Sequence, residues 1–184
     1  MSDDSGRDLH LPASGAPTAA AVVLHPHPGM GGDRHHPLVV AIAERLCDAG
    51  VAALRIDLRD PSVAAAAEAL TTIASGLRDE VGVGRLLLVG YSWGSAVVAL
   101  ASVDDLAARV LVAPPVTTLD LPPQPEPTLV LVPEHDHFGP PPDVEAALST
   151  WPDTTIEVVG GCDHFLAGAI GRITDRTVAW LTAD

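Results

Sequence analysis

The sequence predicts an α/β protein, a doubly wound three-layer sandwich on a mostly parallel sheet of about six to seven strands. Two features predict it. Short, continuous apolar runs recur along the 184 residues, and each ends in a turn-forming loop. Between them lie longer stretches whose apolar residues recur at helical spacing. Strands that are apolar on both faces need cover on both sides, which crossover helices supply. Right-handed crossovers then wind the chain into three layers.

Ala21 to Leu24 reads as a buried strand that runs into a Pro- and Gly-rich loop, His25 to Asp33. From Val39 the residues Ile42, Leu46 and Ala49 form a helical stripe, which Gly50 ends. Val51 to Ile56 is the next strand, stopped at Asp57, and Val63, Ala66, Leu70, Ile73 and Leu77 mark a second helix. Arg85 to Val89 is a short strand leading into Gly90, followed by an Ala- and Val-rich helix from Ser92 to Val103. Arg109 to Ala113, Thr128 to Val132 and Thr155 to Val159 complete the core strands, and Asp8 to Pro12 adds a short edge strand. Val144, Ala147, Leu148 and Trp151 line one helix; Leu166, Ile170, Ile173, Trp180 and Leu181 line the last. Pro114 to Pro127 is a proline-rich connector, so the chain reads as a single domain, with residues 1–18 an N-terminal extension or edge strand.

Composition narrows the function classes. The formal net charge is −14, all ten cations are Arg, and the chain contains no Lys or Asn. Such a chain offers no basic patch for a phosphate backbone, and its acidity reads as solubility. No apolar run approaches the ~20 residues of a membrane helix. Met1 to His10 lacks the basic start and apolar middle of a signal peptide. Cys47 and Cys162 lie far apart without a CxxC spacing, which predicts no disulfide framework and a reducing compartment. The expectation is a cytoplasmic monomer or small homo-oligomer acting on a small molecule, with no cofactor and with neither nucleic acid nor membrane as partner.

The strongest local signal is Gly90-Tyr91-Ser92-Trp93-Gly94. A serine on a sharp strand-to-helix turn is exposed at the sheet's C-terminal edge, with the helix N-terminus aimed at developing negative charge. The chain passes that turn only if the residues on either side are small, and glycine stands at both. An ordinary Gly-rich βα turn is the bland alternative. Serine needs a base, and the base needs an orienting acid. On such a sheet the order is Ser, acid, His, each after a later strand. Asp136 in Pro133-Glu134-His135-Asp136-His137-Phe138 and His164 in Gly160-Gly161-Cys162-Asp163-His164-Phe165 meet that order. Glu134 is the alternative acid, its side chain otherwise satisfying loop amides, and Asp163 is equally a cap for the final helix.

Acyl transfer needs two backbone donors for the oxyanion. One is the N–H of Trp93, directly after the serine. The other falls to the loop His25-Pro26-His27-Pro28-Gly29-Met30-Gly31-Gly32. Pro28 has no N–H, which leaves Gly29 or Met30, with Met30 slightly preferred. His25 and His27 fix the loop by hydrogen bonding rather than perform chemistry. His27, Phe138, Trp93 and Met30 are the candidate substrate walls.

The loop His25 to Gly32, the elbow Gly90 to Ser95 and the ending Asp163-His164-Phe165-Leu166-Ala167-Gly168 resemble the small, lidless bacterial α/β-hydrolases. These carry an HPHP-x-x-GG loop, a GYS-aromatic-G elbow and a G-x-DHFF-x-G ending, and include esterase-like, peptidase-like and dienelactone-hydrolase-like members. The similarity runs from about Ala21 to Leu181. It implies the α/β-hydrolase fold without a lid domain, Ser92, Asp136 and His164 as a triad, and a serine hydrolase; the reaction expected is hydrolysis of an ester or thioester of a small acyl substrate, with peptidase-like activity left open. Relatives continue after the second strand with an Arg-Gly-x-Gly-x-Ser stretch. Here Asp57-Leu58-Arg59-Asp60-Pro61-Ser62 passes quickly into helix, which leaves that pocket wall undefined and predicts an open, shallow site.

Two other readings compete. His25 and His27, His35 and His36, and His135 and His137 are paired histidines of the kind that bind zinc, but they lie on different loops without HExxH spacing. A binding module that kept the fold and lost its chemistry is the other, since folds host many functions.

Overall fold

A computed structural model describes residues 6–183. The elements in chain order are β1 (Arg7–His10), β2 (Ala19–Leu24), α1 (Pro37–Asp48), β3 (Val51–Ile56), α2 (Val63–Val81), β4 (Leu86–Tyr91), α3 (Trp93–Leu100), β5 (Leu106–Val112), β6 (Thr128–His135), α4 (Pro141–Ala147), β7 (Thr154–Asp163) and α5 (Ile170–Leu181). The strands form one seven-stranded sheet in the order β1-β3-β2-β4-β5-β6-β7. All neighbours are parallel except β1, which runs antiparallel along β3. The expected edge strand is therefore present, one residue earlier than read, and ends before Pro12.

Alternate residues of each central strand feed different layers. Ala20, Val22 and Leu24 of β2 face a core shared with α2 and α3, while Ala19, Ala21 and Val23 face α1 and α5. In β4, Leu86 and Leu88 go to the first side, Leu87, Val89 and Tyr91 to the second. This double burial is why these strands read as unbroken apolar runs.

Some boundaries differ from the sequence reading, each for a local reason. Trp151 is buried but lies beyond α4, because the residue before Pro152 is pushed out of helical geometry. Leu166 is fully buried in a turn at φ 62, before α5 begins. Helix α3 stops at Leu100, where the guanidinium of Arg109 takes the carbonyls of Val98 and Ala99. Strands β6 and β7 run on past Val132 and Val159, with a register shift between Pro133 and His135 that pairs His135 with Asp163.

Candidate active site

The chain builds the sheet outward in two directions from β2, through β3 on one side and β4 to β7 on the other. At such a reversal the loops beyond the strand C-termini part and leave a crevice. The longer β6 and β7 sharpen this placement. Strands β4, β6 and β7 each end one residue before a candidate: Tyr91 before Ser92, His135 before Asp136 and Asp163 before His164.

Ser92 occupies φ 55, ψ −119, a conformation that non-glycine residues rarely adopt. Its tight turn depends on both flanking glycines. A Cβ on Gly90 would stand 2.2 Å from the carbonyl oxygen of Gly94, and one on Gly94 would stand 2.5 Å from that of His25. Neither distance leaves room for a side chain.

The three candidate side chains form a continuous chain of hydrogen bonds. Ser92 Oγ is 2.8 Å from His164 Nε2, and His164 Nδ1 is 2.8 Å from Asp136 Oδ2. Asp136 and His164 are both buried. The other oxygen of Asp136 accepts the amides of Phe138 at 2.8 Å and Gly139 at 3.1 Å, which fixes its orientation. Phe138 packs edge-on to the His164 ring at 4.7 Å between centroids. Tyr91 Oη donates to the His164 carbonyl at 2.7 Å, and burial, reinforced by Asp136 and Asp163, pushes the phenol pKa up and keeps it a donor. The alternatives take other partners. Glu134 accepts the Gly161 amide at 2.7 Å, and Asp163 accepts the Phe165 amide at 3.0 Å instead of capping α5.

The loop after β2 corrects the expected second donor. Pro28–Met30 forms a single 3₁₀ turn capped by His27. The Gly29 amide donates to His27 Nδ1 and the Met30 amide to the His27 carbonyl, both at 3.0 Å, so neither is free. Among the described residues the amides of His27 and Trp93 have no acceptor. The overlooked signal was Pro28 itself: proline at the first position of a helical turn makes the preceding residue the cap and commits the following amides. His25 does fix the loop. Its Nδ1 meets the Pro26 carbonyl at 2.6 Å and its Nε2 accepts the Leu58 amide at 3.0 Å.

A cavity of about 280 Å³ opens on Ser92. The expected His27, Met30, Trp93 and Phe138 line it. Sequence reasoning missed Tyr91, Leu119 and Phe165, although Tyr91 and Phe165 directly adjoin the candidate serine and histidine. The proline-rich connector contributes Pro115, Thr118 and Leu119 where a lid would otherwise stand. The shortened segment after Asp57 does not border this cavity. It lines a neighbouring one, with Pro28 and Gly29, so it supplies no wall to the cavity on Ser92. Its ends are anchored, since Trp93 Nε1 donates to the Pro61 carbonyl at 3.1 Å.

Among the described residues no three His, Cys, Asp or Glu side chains converge to hold a metal ion, and no helix is long and apolar enough to cross a membrane.

No family model and no curated protein matches the chain. Solved structures do. An α/β serine hydrolase homologue from Coxiella burnetii superposes with a TM-score of 0.84 at 22% identity, covering 95% of this chain and 90% of that one. A serine hydrolase without lid from Xanthomonas campestris gives 0.82 at 22% identity over 97% and 90%. Est1E from Butyrivibrio proteoclasticus, with ferulic acid bound, gives 0.81 at 16% identity over 95% and 93%. Identities this low carry the architecture alone, and that architecture is the α/β-hydrolase fold without a lid.

Proposed function

We propose that the protein is a serine hydrolase that cleaves an ester or thioester of a small acyl group through an acyl-enzyme on Ser92. The observation that carries this reading is the unbroken relay from Ser92 Oγ to His164 Nε2 and from His164 Nδ1 to Asp136, each step 2.8 Å. His164 takes the Ser92 proton as Oγ attacks the carbonyl carbon, and returns it to the leaving oxygen or sulfur as the tetrahedral intermediate collapses. Asp136 holds the ring with Nδ1 protonated and favours the imidazolium that forms. Water then attacks the acyl-enzyme by the same proton route and frees the acid.

The oxyanion falls to the amides of Trp93 and His27, two cavity-lining residues whose N–H groups have no acceptor of their own. The positive φ of Ser92 supports this role, because a residue so constrained is held ready at the start of a helix.

Labelling with a fluorophosphonate probe, followed by peptide mapping, tests the reading. Ser92 should be the modified residue. Ester turnover should fall by at least about 10⁴-fold in Ser92→Ala. Turnover that survives this substitution would overturn it.

A further inference from the structure

Resting on that reading, we infer that the cavity selects uncharged esters bearing one aromatic ring on a short linker, and rejects esters that carry a carboxylate.

The first argument is where the chain spends its aromatic residues. It has three Trp, two Phe and one Tyr, and four of these, Tyr91, Trp93, Phe138 and Phe165, line the one cavity. Rings are rigid, so they present apolar area to a ligand at little cost in side-chain entropy. The cavity mouth continues the pattern. Met30 and Phe165 are 74% and 63% exposed, among only four large apolar side chains that reach solvent in the described residues. Both border the opening, where a bound ring would cover them.

The second argument is charge. Charged residues make up 18% of the chain, yet no Asp, Glu or Arg lines this cavity. The nearby Arg34 is already engaged by Asp8 and Asp57. His36 lines the cavity against Tyr91, and burial, with help from His25 and against Asp33, lowers its pKa and keeps it neutral. A substrate carboxylate would therefore lose its water without gaining a cation, inside a protein of formal charge −14.

The third argument is size. An apolar cavity of ~150 Å³ holds a benzene ring. The 280 Å³ found here admits a ring with a linker of a few carbons, and leaves most of a long acyl chain outside it.

Purified protein assayed against neutral and charged methyl and acetyl esters tests this. Methyl phenylacetate and its isomer benzyl acetate place the ring on opposite sides of the ester. At least one of them should exceed methyl butyrate in kcat/KM by about tenfold, the worth of one well-placed ring. Monomethyl succinate, which replaces the terminal methyl of the butyrate by a carboxylate, should fall about 100-fold or more below it. Methyl palmitate should not exceed methyl butyrate, since most of its chain finds no wall to cover it. Phe165→Arg, at an exposed site, should raise the succinate-to-phenylacetate ratio by about tenfold or more. A flat profile, or a preference for the succinate, alongside fluorophosphonate labelling of Ser92, overturns this inference and leaves the serine-hydrolase reading standing. Absence of both labelling and turnover overturns the two together.

Discussion

The phenol of Tyr91 and the backbone carbonyl of His164 meet at 2.7 Å, so the residue before the candidate nucleophile steadies the residue that would serve as its base. The bond joins the ends of β4 and β7, which are not neighbours in the sheet. Tyr91→Phe removes the hydroxyl and keeps the ring. We expect kcat to fall about tenfold with KM little changed, as the imidazole loses registration with Ser92 Oγ. Burial keeps the phenol protonated, so the deficit should be the same across neutral and mildly alkaline pH. Steady-state kinetics at several pH values check this.

Gly90→Ala tests the elbow. Its new Cβ would meet the Gly94 carbonyl oxygen at 2.2 Å, and that carbonyl belongs to helix backbone with no rotamer to change. A loss of about 2–3 kcal/mol in urea unfolding is expected, with labelling of Ser92 by a fluorophosphonate slowed in whatever protein remains folded.

Arg109 is wholly buried on β5, where it binds Glu126 at 2.5 Å and the carbonyls of Val98 and Ala99 at the end of α3. Burial lowers its pKa, and Glu126 counters that pull. Glu126→Ala leaves the cation unpaired and should cost about 2–3 kcal/mol. Arg109→Met combined with Glu126→Leu should cost less than Glu126→Ala alone, because no charge then stays behind. Denaturant unfolding of the variants decides.

His36 caps α1, its Nδ1 accepting the Leu38 amide at 3.3 Å. Burial lowers its pKa below the ordinary 6.5, so between the two values the unfolded chain binds more protons than the folded one. Stability from this residue is present above pH 6.5 and drains away as the pH falls toward the depressed folded value. His36→Asn keeps an acceptor at the cap without the titration. Its melting temperature should fall less than the wild type's between pH 7 and pH 5, as read by calorimetry.

The architecture was legible because its determinants are local and repeated. Strands such as Leu86 to Val89 are buried on both faces, so no alternation hides them, and the Gly90 and Gly94 pattern follows directly from the clash a Cβ would create. Asp136 and His164 were legible because each falls in the loop after a later strand, although the strands run on to His135 and Asp163, past the Val132 and Val159 at which the sequence reading ended them. What escaped depends on partners distant in sequence. That Glu134 could satisfy a loop amide was foreseen, but that the amide is Gly161's was not, because Gly161 lies 27 residues on, past the register shift between β6 and β7. The commitment of the Gly29 and Met30 amides was written locally, in Pro28, yet elimination by missing N–H groups overlooked it.

Beyond Asp57, whose carboxylate holds Arg34, the short segment after β3 reaches the site through two main-chain groups. Its Leu58 amide serves the His25 ring and its Pro61 carbonyl serves the Trp93 indole. The segment works as a buckle that fastens the β2 loop to α3, and a backbone fastening asks little of the exposed side chains beside it. The exposed Arg59 can therefore drift in identity while both fastenings survive, whereas Leu58 is held by the core it packs into. Divergence can erase most of the sequence of such a protein long before it disturbs the ground on which the site stands.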